Sequence, residues 1–135
     1  MTTQMTDLVI GAQDQAQLES ILAGVIEGAQ ARSALLINGN DGSVIAAQGL
    51  LDSLDVTSLG ALAAGAFASA REMARLVGEP EFTVLFHQGK REHVHVNLAG
   101  EHGLLMTLFD NRTTVGMVRL YARRACTRIR RILSH

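Results

Sequence analysis

Twice along the chain, two short apolar runs are separated by only four residues. "SALLIN" (Ser33 to Asn38) and "SVIAAQ" (Ser43 to Gln48) flank "GNDG"; "EFTVLFHQ" (Glu81 to Gln88) and "HVHVNLA" (His93 to Ala99) flank "GKRE". Gly, Asn and Asp tolerate the positive φ of tight turns, so each pair is expected to form a β-hairpin. A fifth strand, "LLMTLFD" (Leu104 to Asp110), follows a "GEHG" turn. Strands that arrive as hairpins make a mainly antiparallel sheet.

Between these strands lie three helical patterns. Leu18, Ile21, Leu22, Val25 and Ile26 recur at helical spacing, with Asp14, Glu19 and Glu27 off that stripe. After Asp55, which can cap, "VTSLGALAAGAFASAREMARLVG" places Leu59, Leu62, Ala63, Ala66, Phe67, Ala70, Met73, Ala74 and Val77 on one expected face, and Gly78 stops it. In "TTVGMVRLYARRACTRIRRIL", Val118, Ala122, Ala125, Ile129 and Leu133 fall on one side. Arg119, Arg123, Arg124, Arg128, Arg130 and Arg131 fall on the other, where a plain solvated face is expected. The predicted order is α-β-β-α-β-β-β-α, an α+β fold with enough helices to cover both faces of the sheet.

A length of 135 residues fits one domain, expected to span residues 1–135. With 47% hydrophobic and 19% charged residues, the chain has a core to bury and too little charge for disorder. The net charge of −1 argues against a nucleic-acid binder, although the charge is uneven: up to Phe67 the only base is Arg32. The lone Cys126, the absence of a signal-peptide pattern in "MTTQMTDLVIGAQDQ" and the lack of a bilayer-length apolar run point to a cytoplasmic protein that does not insert into membranes.

No catalytic set emerges. The glycines near "GNDG" open a strand rather than a helix, and no lysine occurs before Lys90, so a phosphate-binding loop is excluded. His93 and His95 share a strand face with Phe82, Val84 and Phe86 in the expected register, while His87 falls opposite. Two histidines without a third ligand favour packing under a helix over a metal site, and Cys126 on an apolar helix side favours packing over nucleophilic work. No cofactor is expected. A small-ligand or metal sensor built on His93 and His95 is the minority alternative.

The second helix is the most informative element. From Val56 to Ala70 it has no charge, and its outward face should be Ala61, Ala64, Gly65, Ala68 and Ser69. Gly60 and Gly65 each cost roughly 1 kcal/mol relative to Ala in a helix interior, so a protein contact there is expected to offset them. The nearly uncharged strand Glu81 to Gln88, if at the sheet edge, invites pairing with a second chain. Both surfaces point to a symmetric dimer.

The element order, the "LLINGNDGSVIAAQG" hairpin, the uncharged second helix and the "LLMTLFDNRTTVGMVRLYARRA" ending together resemble the Roadblock family of dynein-light-chain type, in particular its MglB-like prokaryotic branch. The resemblance covers nearly the whole chain. It implies a profilin-like or longin-like five-stranded antiparallel sheet sandwiched by three helices. It also implies a homodimer joined through third strands and second helices, with Ala61, Ala64, Gly65, Ala68, Ser69, Phe82, Val84 and Phe86 at the interface. The work implied is that of a noncatalytic platform for a small Ras-like GTPase, touched by Thr57, Ala61, Arg71 and Arg75. No arginine finger carries over, because Arg71 and Arg75 are taken as ordinary helix-end charge. A scaffold without effect on hydrolysis is the neighbouring alternative.

Overall fold

The computed structural model describes residues 10–134. Its elements run α1 (Ala12–Ala29), β1 (Ser33–Asn38), β2 (Val44–Gly49), α2 (Val56–Leu76), β3 (Val84–Gln88), β4 (Glu92–Ala99), β5 (Gly103–Asp110) and α3 (Val115–Leu133). All pairings are antiparallel, in the spatial order β2-β1-β5-β4-β3, so β2 and β3 are the edges. The expected element order and antiparallel sheet are both present.

Strand alternation divides the core between the two faces. On one face Ala34, Leu36, Ala46, Leu105 and Ala99 pack with Leu18, Leu22 and Val25 of α1 and with Ala122, Ala125, Cys126 and Ile129 of α3. The two helices lie against each other, α1 over β1 and β2, α3 over β4 and β5, so this face is roofed over four of its five strands. The opposite face carries Leu35, Ile37, Val96, Leu104 and Met106, with Ala63 and Phe67 of α2. Here α2 packs chiefly on β1 and β2. Leu85, Val94, Leu98 and Leu108, farther across that face, are only half-buried.

Helix α2 starts as expected, with the Asp55 carboxylate accepting the Ser58 N–H at 3.1 Å. It ends at a left-handed Gly78 (φ +81°), and the Glu79 N–H reaches back to the Ala74 carbonyl at 2.8 Å. Its buried stripe differs from the expected one. Gly60, Ala63, Phe67, Ala70 and Ala74 face the core, whereas Leu62 (71% exposed), Met73 (54%) and Val77 (69%) do not. The apolar pattern is wider than the face one sheet can cover, and small residues won the inner positions because α2 lies close to the sheet.

Gly60 shows how close. A Cβ on it would run into the carbonyl oxygen of Gly42, and one on Gly42 would sit 2.7 Å from Cα of Ala61. The cost of Gly60 is therefore offset inside this chain, by the helix seating on the β1–β2 turn, and it carries no information about a partner. Gly65 has nothing within 4 Å and remains without an intramolecular reason.

The third strand is also shorter than expected. Phe82 lies outside β3, because its place in the register is opposite Ala99, where β4 ends before the left-handed turn at Gly100 (φ +79°). The Thr83 carbonyl still accepts the Leu98 N–H at 2.9 Å, so pairing fades one residue before Phe82.

Candidate functional site

The helical spacing of α2 sorts its solvent side into two stripes. Thr57, Ala61, Ala64, Ala68, Arg71 and Arg75 recur every three or four residues along one flank. Ala64 is half-buried and the others are exposed. Leu62, Gly65, Ser69, Met73 and Leu76 form the second flank, all exposed, with Leu76 at 76%. The residues expected to face outward are exposed, Ala64 partly so, and the large apolar Leu62 and Met73 beside them, expected in the core, are exposed too. Exposure of this much aliphatic surface along one helix is unusual for a chain that works alone.

Charge is confined to the end of α2. Arg75 pairs with Glu72 at 2.9 Å, both well exposed, an ordinary i,i+3 helix pair. Arg71, Glu72 and Arg75 border a shallow depression with Ala68, Glu79 and Pro80. Val84 and Phe86 lie on edge strand β3, half-buried, with Phe86 stacked on Phe109 at 6.0 Å between centroids. Phe86 therefore belongs to the α3 side of the sheet.

The glycine-rich turn is closed on itself. Gly42 N–H donates to the Asn38 carbonyl (2.7 Å), Gly39 N–H to His102 (2.6 Å), Asn40 N–H to the Asn38 side chain (2.9 Å) and Ser43 N–H to the Asp41 carboxylate (2.9 Å). The Ser43 N–H, together with its hydroxyl at 2.7 Å, holds the Asp41 carboxyl below its usual pKa. Amides already committed to a turn cannot cradle a phosphate.

The two histidines share a face but not a task. His93 Nδ1 accepts the Gly89 N–H at 3.2 Å and Nε2 donates to Asn111 Oδ1 at 2.7 Å, so the ring ties the β3–β4 turn to the loop before α3. His95 is fully buried, its two ring nitrogens without a protein partner, beside the equally unpartnered Thr107 hydroxyl on the paired residue of β5. Burial, helped by the nearby Arg119 charge, pushes its pKa down to about 4. Neither ring faces an open pocket. Among the described residues no group of three or more His, Cys, Asp and Glu is placed to hold a metal. Cys126 is buried and burial pushes its thiol up to about 12, which makes it a packing residue rather than a nucleophile.

The arginines of α3 are not one uniform solvated face. Arg124 lies over the Tyr121 ring at 5.5 Å, Arg128 and Arg131 border the α1 side, and Arg119, Arg123 and Arg130 line a groove toward β3 and β4. Among the described residues no helix is long and apolar enough to cross a membrane.

Known proteins match this architecture along most of its length. MglB, the gliding protein of Thermus thermophilus, is 33% identical with a TM-score of 0.87, over 94% of this chain and 96% of that one. An MglB solved in a tetrameric arrangement is 32% identical with a TM-score of 0.89, covering 94% and 95%. An uncharacterized protein of Methanocaldococcus jannaschii is 33% identical over 95 residues, 70% of this chain and 82% of its own. Profilin IB of Acanthamoeba castellanii, at 12% identity and a TM-score of 0.64, shares the fold alone. The family model for the Roadblock/LC7 domain matches residues 18–109, from α1 through the last strand, and the chain belongs to that family.

Proposed function

We propose that this protein is a noncatalytic, homodimeric platform that regulates a small Ras-like GTPase in the cytoplasm. The observation that carries this reading is the half-covered sheet face: Leu85, Val94, Leu98 and Leu108 lie uncapped beside a helix whose own outer side is apolar. A second α2 laid on that half, with edge strand β3 paired to its counterpart, buries both surfaces by one two-fold operation. The interface then draws on Ala61, Ala64, Gly65, Ala68, Ser69, Val84 and Phe86, with Phe82 at its margin, and gains Leu62 and Met73. The likeness to MglB supports the same assignment.

Paired α2 helices present the Thr57, Ala61, Arg71 stripe twice, as one broad uncharged surface with basic ends. Such a surface fits switch loops that a γ-phosphate has ordered, which gives preference for the GTP state. Arg71 and Arg75 are read as ordinary helix-end charge, Arg75 in an exposed pair with Glu72, so any effect on hydrolysis is assigned to arrangement of the GTPase's own residues. Light scattering at micromolar concentration should find a dimer, and a monomer would overturn the reading. Titration with small GTPases loaded with GTP analogue or GDP should show tighter binding to the former, weakened by charge substitutions at Thr57, Ala61 or Arg71 that leave the dimer intact. Equal binding in both states leaves a scaffold.

A further inference from the structure

Between α3 and the β3–β4 hairpin runs a groove of about 910 Å³, on the side of the sheet away from α2. One wall is a single stripe of α3, in which Arg119, Arg123, Cys126 and Arg130 are four, three and four residues apart. Asn97 of β4 contributes to the opposing surface, with Thr83 and Val84 beside it. Among the described residues, none of the three arginines has an ion-pair partner. Guanidiniums without an ion pair along one wall of a concavity offer planar donors that a phosphate can accept. The stem of Arg130 passes close to Gly100, where an added Cβ would lie 3.6 Å from its Cγ.

A second observation is independent of charge. Asn97 is only 9% exposed, it borders the groove, and its Oδ1 has no partner in the fold. A buried amide oxygen without a partner is destabilising unless something hydrogen-bonds to it. Glu81 and Glu101 also border the groove, so its lining offers acceptors as well as cations.

We propose that this groove binds a small phosphorylated molecule, its phosphate on Arg119 and Arg123, one helical turn apart, with Arg130 farther along the same wall and a hydroxyl or amine group directed to Asn97 and the two carboxylates. The site uses neither α2 nor its apolar flank, although Val84 of the β3 edge borders both the groove and the proposed dimer seam. The buried Cys126 thiol takes no part beyond shaping the wall.

The test is a titration of the full chain with ribose 5-phosphate and, separately, inorganic phosphate, followed by NMR of backbone amides and arginine side-chain N–H groups. Saturable shifts should appear at Asn97, Thr127 and the three arginines, with ribose 5-phosphate the tighter ligand because both ends are used. Arg119→Gln and Arg123→Gln should each weaken binding about tenfold. Asn97→Leu, if it folds, should bring ribose 5-phosphate down to the level of phosphate. Arg128→Gln, on the α1 side of the same helix, should change nothing. Absence of saturable shifts, or an equal loss in Arg128→Gln, overturns the proposal. Phosphatidylcholine vesicles with and without phosphatidylinositol phosphate distinguish the source of the phosphate. Sedimentation that Arg123→Gln abolishes identifies a lipid headgroup, and saturation by ribose 5-phosphate without sedimentation identifies a soluble ligand; either supports the groove.

Discussion

The two faces of the sheet are built to different standards of closure. Under α1 and α3, residues such as Leu18, Leu22, Leu36, Leu105 and Ile129 are wholly removed from water, and polar His95 and Thr107 are sealed in with them. Under α2, one helix serves a face of five strands, and Leu85, Val94, Leu98 and Leu108 are left half-wet beside the exposed Leu62, Met73 and Leu76. Apolar burial stabilises by about 25 cal/mol per Å² removed from water, so the first face already holds its share of folding energy and the second holds it in reserve. The lesson is a division of labour. One face is closed by the chain's own helices over most of its width, and the other keeps apolar surface that a covering partner would bury.

Core truncation gives the widest contrast. Leu36→Ala on the closed face should cost about 2–5 kcal/mol in urea unfolding, whereas Leu98→Ala on the open face should cost the monomer about 1 kcal/mol. Equal losses would break the comparison.

Acid should act through the closed face as well. The free imidazole titrates near 6.5 and folded His95 near 4, so between those values the unfolded chain binds more protons than the native one. Stability therefore falls as pH drops from 6.5 to 4, by at most about 3 kcal/mol, and is independent of this group above 6.5. His95→Phe should flatten that part of the pH profile, and because it removes two unpartnered nitrogens it should be neutral or stabilising at pH 7. A profile unchanged in the variant would mean that other groups carry the acid response.

Two glycines of one helix sharpen the comparison further. Gly60→Ala drives a methyl into the Gly42 carbonyl and should destabilise the fold by more than about 1 kcal/mol despite better helix propensity. Gly65→Ala meets nothing in its own chain and should stabilise an isolated monomer by up to about 1 kcal/mol. If Gly65 instead lies at a helix-helix contact, thermal stability measured across protein concentration will show the gain only when the protein is dilute.

The smallest effect belongs to the end of α2. Arg75→Gln breaks an exposed pair with Glu72 and should change the melting free energy by about 0.5 kcal/mol or less. Calorimetry that finds a larger loss would assign the pair a structural role.

Much of this molecule was legible in its residues. The hairpins, the Asp55 cap, the Gly78 stop and the element order follow from local conformational preference, which acts over a few residues and is written in them. The antiparallel sheet follows from the short turns. The closed-turn reading of "GNDG" was also available, because a phosphate loop needs residue types that are absent.

What the sequence could not decide was which of several apolar or charged stripes meets which neighbour. Leu62, Met73 and Val77 lie beside the Phe67 stripe in a pattern too wide for one face, and the structure, with Gly60 seated on Gly42, leaves them exposed. Phe82 alternates with Val84 and Phe86, yet its pairing ends because β4 turns away at Gly100. The six arginines of α3 look alike in sequence, and the positions of α1, β3 and β4 separate those bordering a groove from those on the α1 side. By itself the sequence determined the elements and their order, since these depend on spacing and turn chemistry. The tertiary structure alone decided what is covered, because coverage is a relation between surfaces that lie far apart along the chain.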